Sequence, residues 1–274
     1  MARINHAVFK LSLLLSLQLS ATLGWSTLLN ISSPSLAGDK GGIPQRWQAK
    51  AYQPPKGFGA PIRREAGGTR GDSCTQINPE SMLRALVPQD GFGVTVAASP
   101  TLLFYMPNMN PESPEKPVEF VLVDDNENEV YKSTFKTTGK SGIVSISLPP
   151  NAGASRLQLG KDYHWYLSVV CDPQERSNDI AVSGRIRRVE LQANTRSQLQ
   201  QTAAKDKAKL YAEAEVWFDA LAALAEQRTN NPNDAGTSQE WEQLLKSVQL
   251  DAIAKESLVQ SAIAPTNPLT FSDF

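Results

Sequence analysis

The sequence predicts a mainly β protein with helices at its C-terminal end, and three features lead to this fold class. Short apolar runs separated by turn residues fill residues 85–191, and one of these runs alternates strictly between apolar and polar side chains. From residue 192 the apolar spacing becomes that of helices. With 41% hydrophobic and 20% charged residues, the 274-residue chain has the composition of one or two folded domains.

The alternating run is Tyr163–Cys171. Its apolar or sulfur-bearing side chains occupy every second position: Tyr163, Trp165, Leu167, Val169 and Cys171. A period of two predicts a strand with one buried face. Leu157, Leu159 and Gly160 precede Tyr163 at the spacing found before a late strand of immunoglobulin-like and fibronectin-type sandwiches, where a tyrosine ties back to the preceding corner. We therefore predict an immunoglobulin/fibronectin-like antiparallel β-sandwich over residues 73–191.

The remaining strands are apolar runs bounded by Gly, Pro, Asn and Asp. They are predicted at Leu86–Val87, Val94–Ala97, Thr101–Met106, Val118–Val123, Val130–Lys136, Ile143–Leu148 and Ile180–Leu191. In the last strand the apolar side chains change parity near Arg187, which predicts a β-bulge there.

An αα-hairpin is predicted over residues 192–258. The first helix carries apolar side chains at helical spacing: Leu210, Ala214, Trp217, Leu221 and Leu224. Asn230-Asn231-Pro232 ends it, and Thr237 with Glu240 makes a capping-box start for the second helix. The two apolar stripes can bury each other or pack jointly against the sandwich. Residues 259–274 are expected to form a flexible tail.

The first 72 residues are expected to lie outside the folded domain. Leu11–Leu23 is an apolar run shorter than a membrane span, and Ser35-Leu36-Ala37 offers the small residues that a signal peptidase needs. Residues 1–37 are therefore predicted to be a signal peptide; an uncleaved anchor is the alternative, since the run can be extended through Leu29. Residues 38–72, with seven basic and three acidic residues, are predicted to be a Gly/Pro-rich basic linker, largely disordered.

Export makes the two cysteines informative, because disulfides persist outside the reducing cytosol. Cys74 and Cys171 are the only pair in the chain, and we predict that they are bridged; two separate buried thiols are the alternative. The expected location is periplasmic, envelope-associated or secreted, with no membrane span after the signal is cleaved.

Residue types that catalyse reactions or bind metals are scarce. His6 leaves with the signal peptide, so His164 is the only histidine of the mature chain. One histidine is too few for a His/Cys metal site, and a catalytic triad built on it would have no partners that the sequence identifies. The acidic run Asp124–Glu129 begins like a calcium loop but lacks the glycine and the final glutamate of an EF-hand, so we predict a solvated hairpin turn there. The loop Gly67–Gly71 lacks the ending of a phosphate-binding Walker loop. We expect no enzyme activity, no cofactor and no metal.

Two sets of residues remain as candidate binding surfaces. The helical stripes offer partner-binding residues, with a core role as the alternative: Trp217, Phe218, Trp241 and Leu244. The linker and the last strand offer a basic patch, with edge-strand protection as the alternative: Arg63, Arg64, Arg70, Arg187 and Arg188. The net charge of −1 and its modest local imbalances indicate no nucleic-acid partner.

Six segments, taken in order along the chain, carry a family resemblance. They are GGTRG at Gly67–Gly71 with Cys74, LRALVP at Leu83–Pro88, SPTLLFYMP at Ser99–Pro107, GKDYHWYLSVVCDPQERS at Gly160–Ser177, YAEAEVWFDALAAL at Tyr211–Leu224 and WEQLL at Trp241–Leu245. Together they resemble the cyanobacterial domain of unknown function 928, over about residues 57–250. The resemblance implies an exported cyanobacterial protein with no assigned activity, so no site residues follow from it.

The function expected from the sequence is that of an exported, non-enzymatic protein-interaction or scaffold protein. Its helical hairpin would bind a protein partner whose identity the sequence does not give. The alternative is a carbohydrate- or envelope-binding β-sandwich module, which exposed Tyr105, Tyr131 or Tyr166 on one face of the sandwich would favour.

Overall fold

A computed structural model describes residues 64–66, 82–109, 111, 115–150 and 156–263 of the chain. The predicted signal peptide, most of the predicted linker, Cys74 and the chain beyond residue 263 lie outside these ranges. Within them, nine strands form two sheets, and four α-helices lie between the eighth and ninth strands. Two sheets followed by helices at the C-terminal side are observed as predicted, although the described fold is mixed α/β rather than mainly β.

Seven of the nine described strands overlap a strand predicted from the sequence. The strands are β1 (Arg84–Ala85), β2 (Phe92–Thr95), β3 (Thr101–Met106), β4 (Pro117–Asp124), β5 (Glu129–Lys136), β6 (Gly142–Ser147), β7 (Asp162–Val169), β8 (Ile180–Arg188) and β9 (Leu258–Ile263). The helices are α1 (Ala193–Gln201), α2 (Lys207–Glu213), α3 (Trp217–Asn230) and α4 (Ala235–Ser247). The predicted strand Leu86–Val87 is wrong, because these residues follow β1 in a bend.

The two sheets are mostly antiparallel. The four-stranded sheet has the order β1-β3-β6-β9, and the five-stranded sheet has the order β2-β8-β7-β4-β5. Two edge strands depart from the predicted antiparallel arrangement, since β2 runs parallel to β8 and β9 runs parallel to β6. The expectation of a flexible tail is wrong for residues 259–263, because they belong to β9.

The inner faces of the two sheets share one hydrophobic core. In β7 the predicted alternation is confirmed, with Tyr163, Trp165, Leu167 and Val169 at most 4% exposed. The ring of Trp165 meets the ring of Phe104 from β3 edge to face, with centroids 5.4 Å apart. The five-stranded and four-stranded sheets therefore face each other at this contact.

Tyr163 ties the start of β7 to the preceding corner, as predicted. Its hydroxyl accepts a hydrogen bond from the backbone N–H of Gln158 at 2.9 Å. The predicted β-bulge in β8 is wrong, because β7 and β8 pair in an unbroken register from Ile180 through Arg187. The parity of the apolar residues changes because the strand ends at Arg188.

The helices cover the outer face of the four-stranded sheet. Phe104 points into the inter-sheet core, so its neighbours Leu103 and Tyr105 face the opposite side of β3. These two residues are nevertheless only 1% and 3% exposed. α3 contacts both β2 and β3, and the ring of Phe218 lies against Gly93 so closely that a Cβ there would be 2.7 Å from it. The alternative in which the helical stripes pack against the sheets is therefore the one observed.

Two details of the predicted helices are wrong. The continuous stripe from Leu210 to Leu224 is divided, because the chain turns between α2 and α3 with Glu215 at a φ of 60°. The second predicted helix begins after Asp234 rather than at Thr237, since the Asp234 carboxylate caps α4 by accepting a hydrogen bond from the backbone N–H of Thr237. Within the described ranges, no helix is long and apolar enough to cross a membrane.

Candidate ligand-binding cleft

The predicted partner-binding residues are core residues. Trp217, Phe218, Trp241 and Leu244 are at most 1% exposed. The indole N–H of Trp217 donates to the carbonyl of Leu86, and that of Trp241 donates to the carbonyl of Ala254, each at 2.9 Å. Because these side chains are buried against the rest of the chain, the prediction that they form a partner-binding face is wrong.

The described members of the predicted basic patch hold the chain together instead. Arg64 is 9% exposed and donates to the carbonyl of Val248 at 2.8 Å. Arg187 forms an ion pair with Asp162, and Arg188 donates to two backbone carbonyls. These contacts give the three residues structural roles within the chain. Arg63 and Arg70 lie outside the described residues.

The three tyrosines proposed for glycan binding do not share an exposed face. Tyr105 is 3% exposed and Tyr131 lies partly buried beside Phe120, with ring centroids 6.4 Å apart. Tyr166 alone of the three is exposed, at 38%, on the outer face of the five-stranded sheet. The tyrosines therefore provide no common platform for a ligand.

The acidic run forms a solvated turn between β4 and β5, as expected. The carboxylate of Asp124 accepts hydrogen bonds from the backbone N–H groups of Asn126 and Asn128. His164 on the neighbouring β7 lies 3.6 Å from the carboxylate of Glu127. No group of metal-ligating side chains is found in the part of the chain that the structure describes.

A cleft of about 810 Å³ lies between the helices and the outer face of the four-stranded sheet. Its floor carries the hydroxyls of Thr101 on β3 and of Ser145 and Ser147 on β6. One wall is α2 and the other is α3, and residues of β9 close a side. The volume falls within the range of pockets that hold small ligands.

The spacing of α3 explains how the cleft is lined. Asp219, Ala222, Ala223, Glu226 and Asn230 recur three, four, seven and eleven residues apart, so a helix of 3.6 residues per turn places them on one face. The two alanines extend no further than a methyl group and leave the middle of the cleft open. The carboxyls lie on either side of that opening along the helix.

Asp219 anchors the start of α3 to the end of β2. Its partly buried carboxylate accepts a hydrogen bond from the backbone N–H of Val96 at 3.1 Å and another from the Thr95 hydroxyl. Burial raises the pKa of the Asp219 carboxyl from its ordinary value of 3.8 to about 6, although these hydrogen bonds act in the opposite direction. The carboxyl therefore changes its charge within the pH range of most natural environments.

Lys207 and Tyr211 are the polar side chains of the α2 wall, four residues apart on one helix face. Within the described ranges, no hydrogen bond or ion pair engages either side chain. Burial and the neighbouring charge of Asp219 raise the pKa of the Tyr211 phenol. Tyr211 therefore keeps its hydroxyl proton and can donate it to a ligand.

The lining supplies hydrogen-bond donors and acceptors together. The hydroxyl oxygens of Thr101 and Ser147 lie 2.7 Å apart, a contact that uses one of their two protons and leaves the other for a ligand. Lys207 and Glu226 bring opposite charges to the two helical walls. Such an arrangement suits a polar ligand with little net charge.

The cleft was not predicted from the sequence, although two groups of its lining residues stand out in the sequence pattern. Asp219 is an acid placed directly after the buried pair Trp217-Phe218, where a helix face turns toward the core. Ser145 and Ser147 alternate with apolar residues on β6, which marks a polar strip on one face of that strand. Neither signal indicates that the strip and the acid lie in one cleft.

The raised pKa of Asp219 predicts a specific pH dependence of stability. Between pH 4 and 6 the folded protein binds more protons than the unfolded chain at this group, so its contribution to stability falls as the pH rises. The free energy of unfolding of the natural protein, minus that of Asp219→Asn, should fall by up to about 3 kcal/mol from pH 4 to pH 7. Urea unfolding at each pH measures this difference, and a constant difference would contradict the assignment.

The described fold therefore consists of two β-sheets, a layer of helices over one of them, and an open cleft with a mixed polar and apolar lining between those layers. The family model of a Domain of Unknown Function, DUF928, matches residues 65–258. The chain belongs to this family, which confirms the resemblance carried by the six segments. A search of curated proteins finds no match.

Proposed function

We propose that this chain is an exported, non-catalytic binding protein that holds a hydroxyl-rich ligand, a segment of envelope glycan, in the cleft between the helices and the four-stranded sheet. The observation that carries the proposal is the cleft itself, in which floor hydroxyls, two wall carboxyls and a phenol surround about 810 Å³. The glycan-binding role expected as the alternative thus moves from the tyrosines to this cleft.

The chemistry of the lining supports a glycan. Each sugar hydroxyl both donates and accepts hydrogen bonds, so its site must offer acceptors as well as donors. Asp219 and Glu226 accept, Tyr211 and Lys207 donate, and the Thr101–Ser147 pair can do either. The ring of Tyr211 adds an apolar surface against which the C–H groups of a sugar can pack.

Burial of the helical stripes argues against the hairpin as a separate partner-binding element. Trp217 and Trp241 contribute their rings and their N–H groups to the interior of the chain. A protein partner could reach them only if the helices first left the sheet. The cleft needs no such rearrangement.

Export rests on the predicted signal peptide at residues 1–37, and N-terminal sequencing of the protein from its host tests it, since an intact Met1 would count against cleavage. We also propose that the sheets form an immunoglobulin-like sandwich with α3 and α4 as a hairpin, supported by the Trp165–Phe104 contact and the Tyr163 corner.

A Cys74–Cys171 bridge remains part of this proposal. A count of alkylatable thiols in denatured, non-reduced protein tests the bridge, and two alkylatable thiols would contradict it.

Filling the cleft should abolish glycan binding. Ala222 lies in the middle of the α3 wall, so the indole of Ala222→Trp would occupy the space that the ligand needs. The measurement is co-sedimentation with purified peptidoglycan and with insoluble neutral polysaccharide. We expect the amount of this variant that co-sediments to be at least about 90% lower than for the natural protein, which corresponds to a loss of about 1.4 kcal/mol or more of binding free energy.

Two further variants complete the experiment. Ala235→Trp adds the same side chain at an exposed position of α4 outside the cleft, and should bind like the natural protein. Glu226→Trp blocks the cleft from an exposed wall position, so it tests the proposal even if Ala222→Trp folds poorly in a thermal melt. Equal retention of all forms, or retention of none, would overturn the proposed function.

A further inference from the structure

We propose that Tyr211 and Asp219 form the sugar-contacting end of the cleft, with the Tyr211 ring against the face of one sugar and the Asp219 carboxylate accepting hydrogen bonds from its hydroxyls, so that capture of the glycan releases a proton. This inference rests on the proposed function and names the residues and the regulation of the same site.

The antiparallel walls divide the cleft into two ends. The side-chain amide of Gln227 donates to the carbonyl of Ala204, which places the start of α2 beside the later turns of α3. Lys207 and Glu226 accordingly belong to one end, where their opposite charges offset each other. Tyr211 and Asp219 belong to the other end, where the carboxylate charge acts on the phenol.

The Tyr211 and Asp219 end offers the two contacts that a sugar ring needs. Tyr211 is partly buried against the core and also lines the cleft, so part of its side chain is within reach of a ligand there. The Asp219 carboxylate is held by the Thr95 hydroxyl and by the backbone N–H groups of Val96, Ala97 and Asp219 itself, so it is oriented before the ligand arrives.

Proton release follows from the state of Asp219 before binding. Burial keeps this carboxyl protonated below about pH 6. A protonated carboxyl can accept from fewer hydroxyls than an ionised one, so a ligand that brings hydroxyl donors binds the ionised form more tightly. Below pH 6, capture must therefore expel the proton, and affinity should rise with pH until the carboxyl is already ionised.

The other charged or titratable groups around Asp219 come from each element packed near it. The α2 wall contributes Tyr211 and Lys207, and the later turns of α3 contribute Glu226. On the strand side, Arg188 donates to the carbonyl of Val96, and the described strand residues that line the cleft carry no charged side chain. Comparison with Asp219→Asn separates the proton of Asp219 from any contribution of these groups.

Titration calorimetry on the full mature chain tests the inference. The probes are maltohexaose, cellohexaose and the hexamer of N-acetylglucosamine, and the best-bound one is measured at pH 5, 6, 7 and 8. A carboxyl with a pKa of about 6 is about one-tenth ionised at pH 5 and about nine-tenths ionised at pH 7. We expect affinity to rise about tenfold between these values and then level off, with close to one proton released at pH 5.

Three variants identify the residues. Asp219→Asn should bind more weakly at pH 7 and lose the pH dependence and the proton release. Tyr211→Phe should keep most of the affinity, because the ring remains, whereas Tyr211→Ala should lose at least tenfold. Ala235→Trp serves as the unaffected control.

The outcomes separate this inference from the proposed function. Binding that is blocked by Ala222→Trp but independent of pH, or unchanged in Asp219→Asn or Tyr211→Ala, overturns the sugar-contacting assignment and leaves the cleft as the binding site. Failure of the natural protein to bind any of the three hexasaccharides or the insoluble glycans overturns both.

Discussion

Gly184→Ala is expected to destabilise the folded protein by about 3 kcal/mol or more, the upper part of the range for overpacked cores. Gly184 lies on β8 directly opposite Trp165 on β7. A Cβ at this position would stand 2.1 Å from Cζ2 of the indole and 2.7 Å from the carbonyl oxygen of Gly91. Trp165 is fully buried against Phe104, so the ring cannot move aside without repacking the contact between the sheets. Urea unfolding measures the loss.

Gly236→Ala is the matched control for this substitution. Gly236 lies in the first turn of α4, where a Cβ would approach only a carboxylate oxygen of Asp234, at 3.2 Å. Because alanine favours a helix over glycine by up to about 1 kcal/mol, this variant should be as stable as the natural protein or slightly more stable. A Gly184→Ala protein that unfolds at the natural urea midpoint would show that the two sheets do not meet at Trp165 as described.

Trp217→Ala should cost about 3–5 kcal/mol, as expected for removing a fully buried tryptophan. Trp217 is the first residue of α3, and its indole N–H donates to the carbonyl of Leu86, just past β1. The substitution removes the ring and leaves that carbonyl without this donor. Trp217→Phe retains an aromatic ring and should lose less, so the pair of variants separates the packing contribution from the hydrogen bond. Thermal and urea unfolding measure both.

The Trp217 prediction tests whether the helical layer is part of the folding unit. A chain ending at Leu191 would lose α3 and uncover Leu103 and Tyr105 on the outer face of β3, so it should fail to fold into a stable domain. Arg228→Ala is a milder comparison, because its guanidinium packs over the Trp241 ring at 4.7 Å but is only partly buried. A shortened chain as stable as the whole protein would contradict the structural role of the helices.

The strands could be predicted from sequence because local signals define them. Breakers such as Pro149 and the Asp124 turn mark where runs end, and the alternation from Tyr163 to Val169 identifies the buried face. The edge strand β9 could not be predicted in this way. Its parallel pairing with β6 joins residues more than 100 positions apart, and a short run near residue 260 does not reveal such a distant partner.

The role of the helices was harder to predict for a different reason. A stripe such as that of Trp217 and Trp241 shows that a face is apolar, but not what covers it. The turn at Glu215 divides the stripe and lets α3 lie across β2 and β3. The sheet therefore buries the side chains that sequence reasoning assigned to a partner.

The cleft depends on tertiary structure almost entirely. Thr101, Ser147, Lys207 and Asp219 come from four separate elements, and no spacing within the sequence brings them together. The environment of Asp219 shows the same limit, because burial beneath the strand end at Val96 raises its pKa and nothing in the local sequence indicates that burial. In contrast, the Asp124 turn is a local structure and was predicted correctly.

Amide hydrogen exchange with and without the best-bound hexasaccharide tests the cleft most directly. We expect slower exchange in residues 95–101, 204–211 and 218–230, which line it, and no change around the exposed Tyr166 on the outer face of the five-stranded sheet. Protection around Tyr166 without protection of the three cleft segments would place the ligand elsewhere and contradict the proposed function.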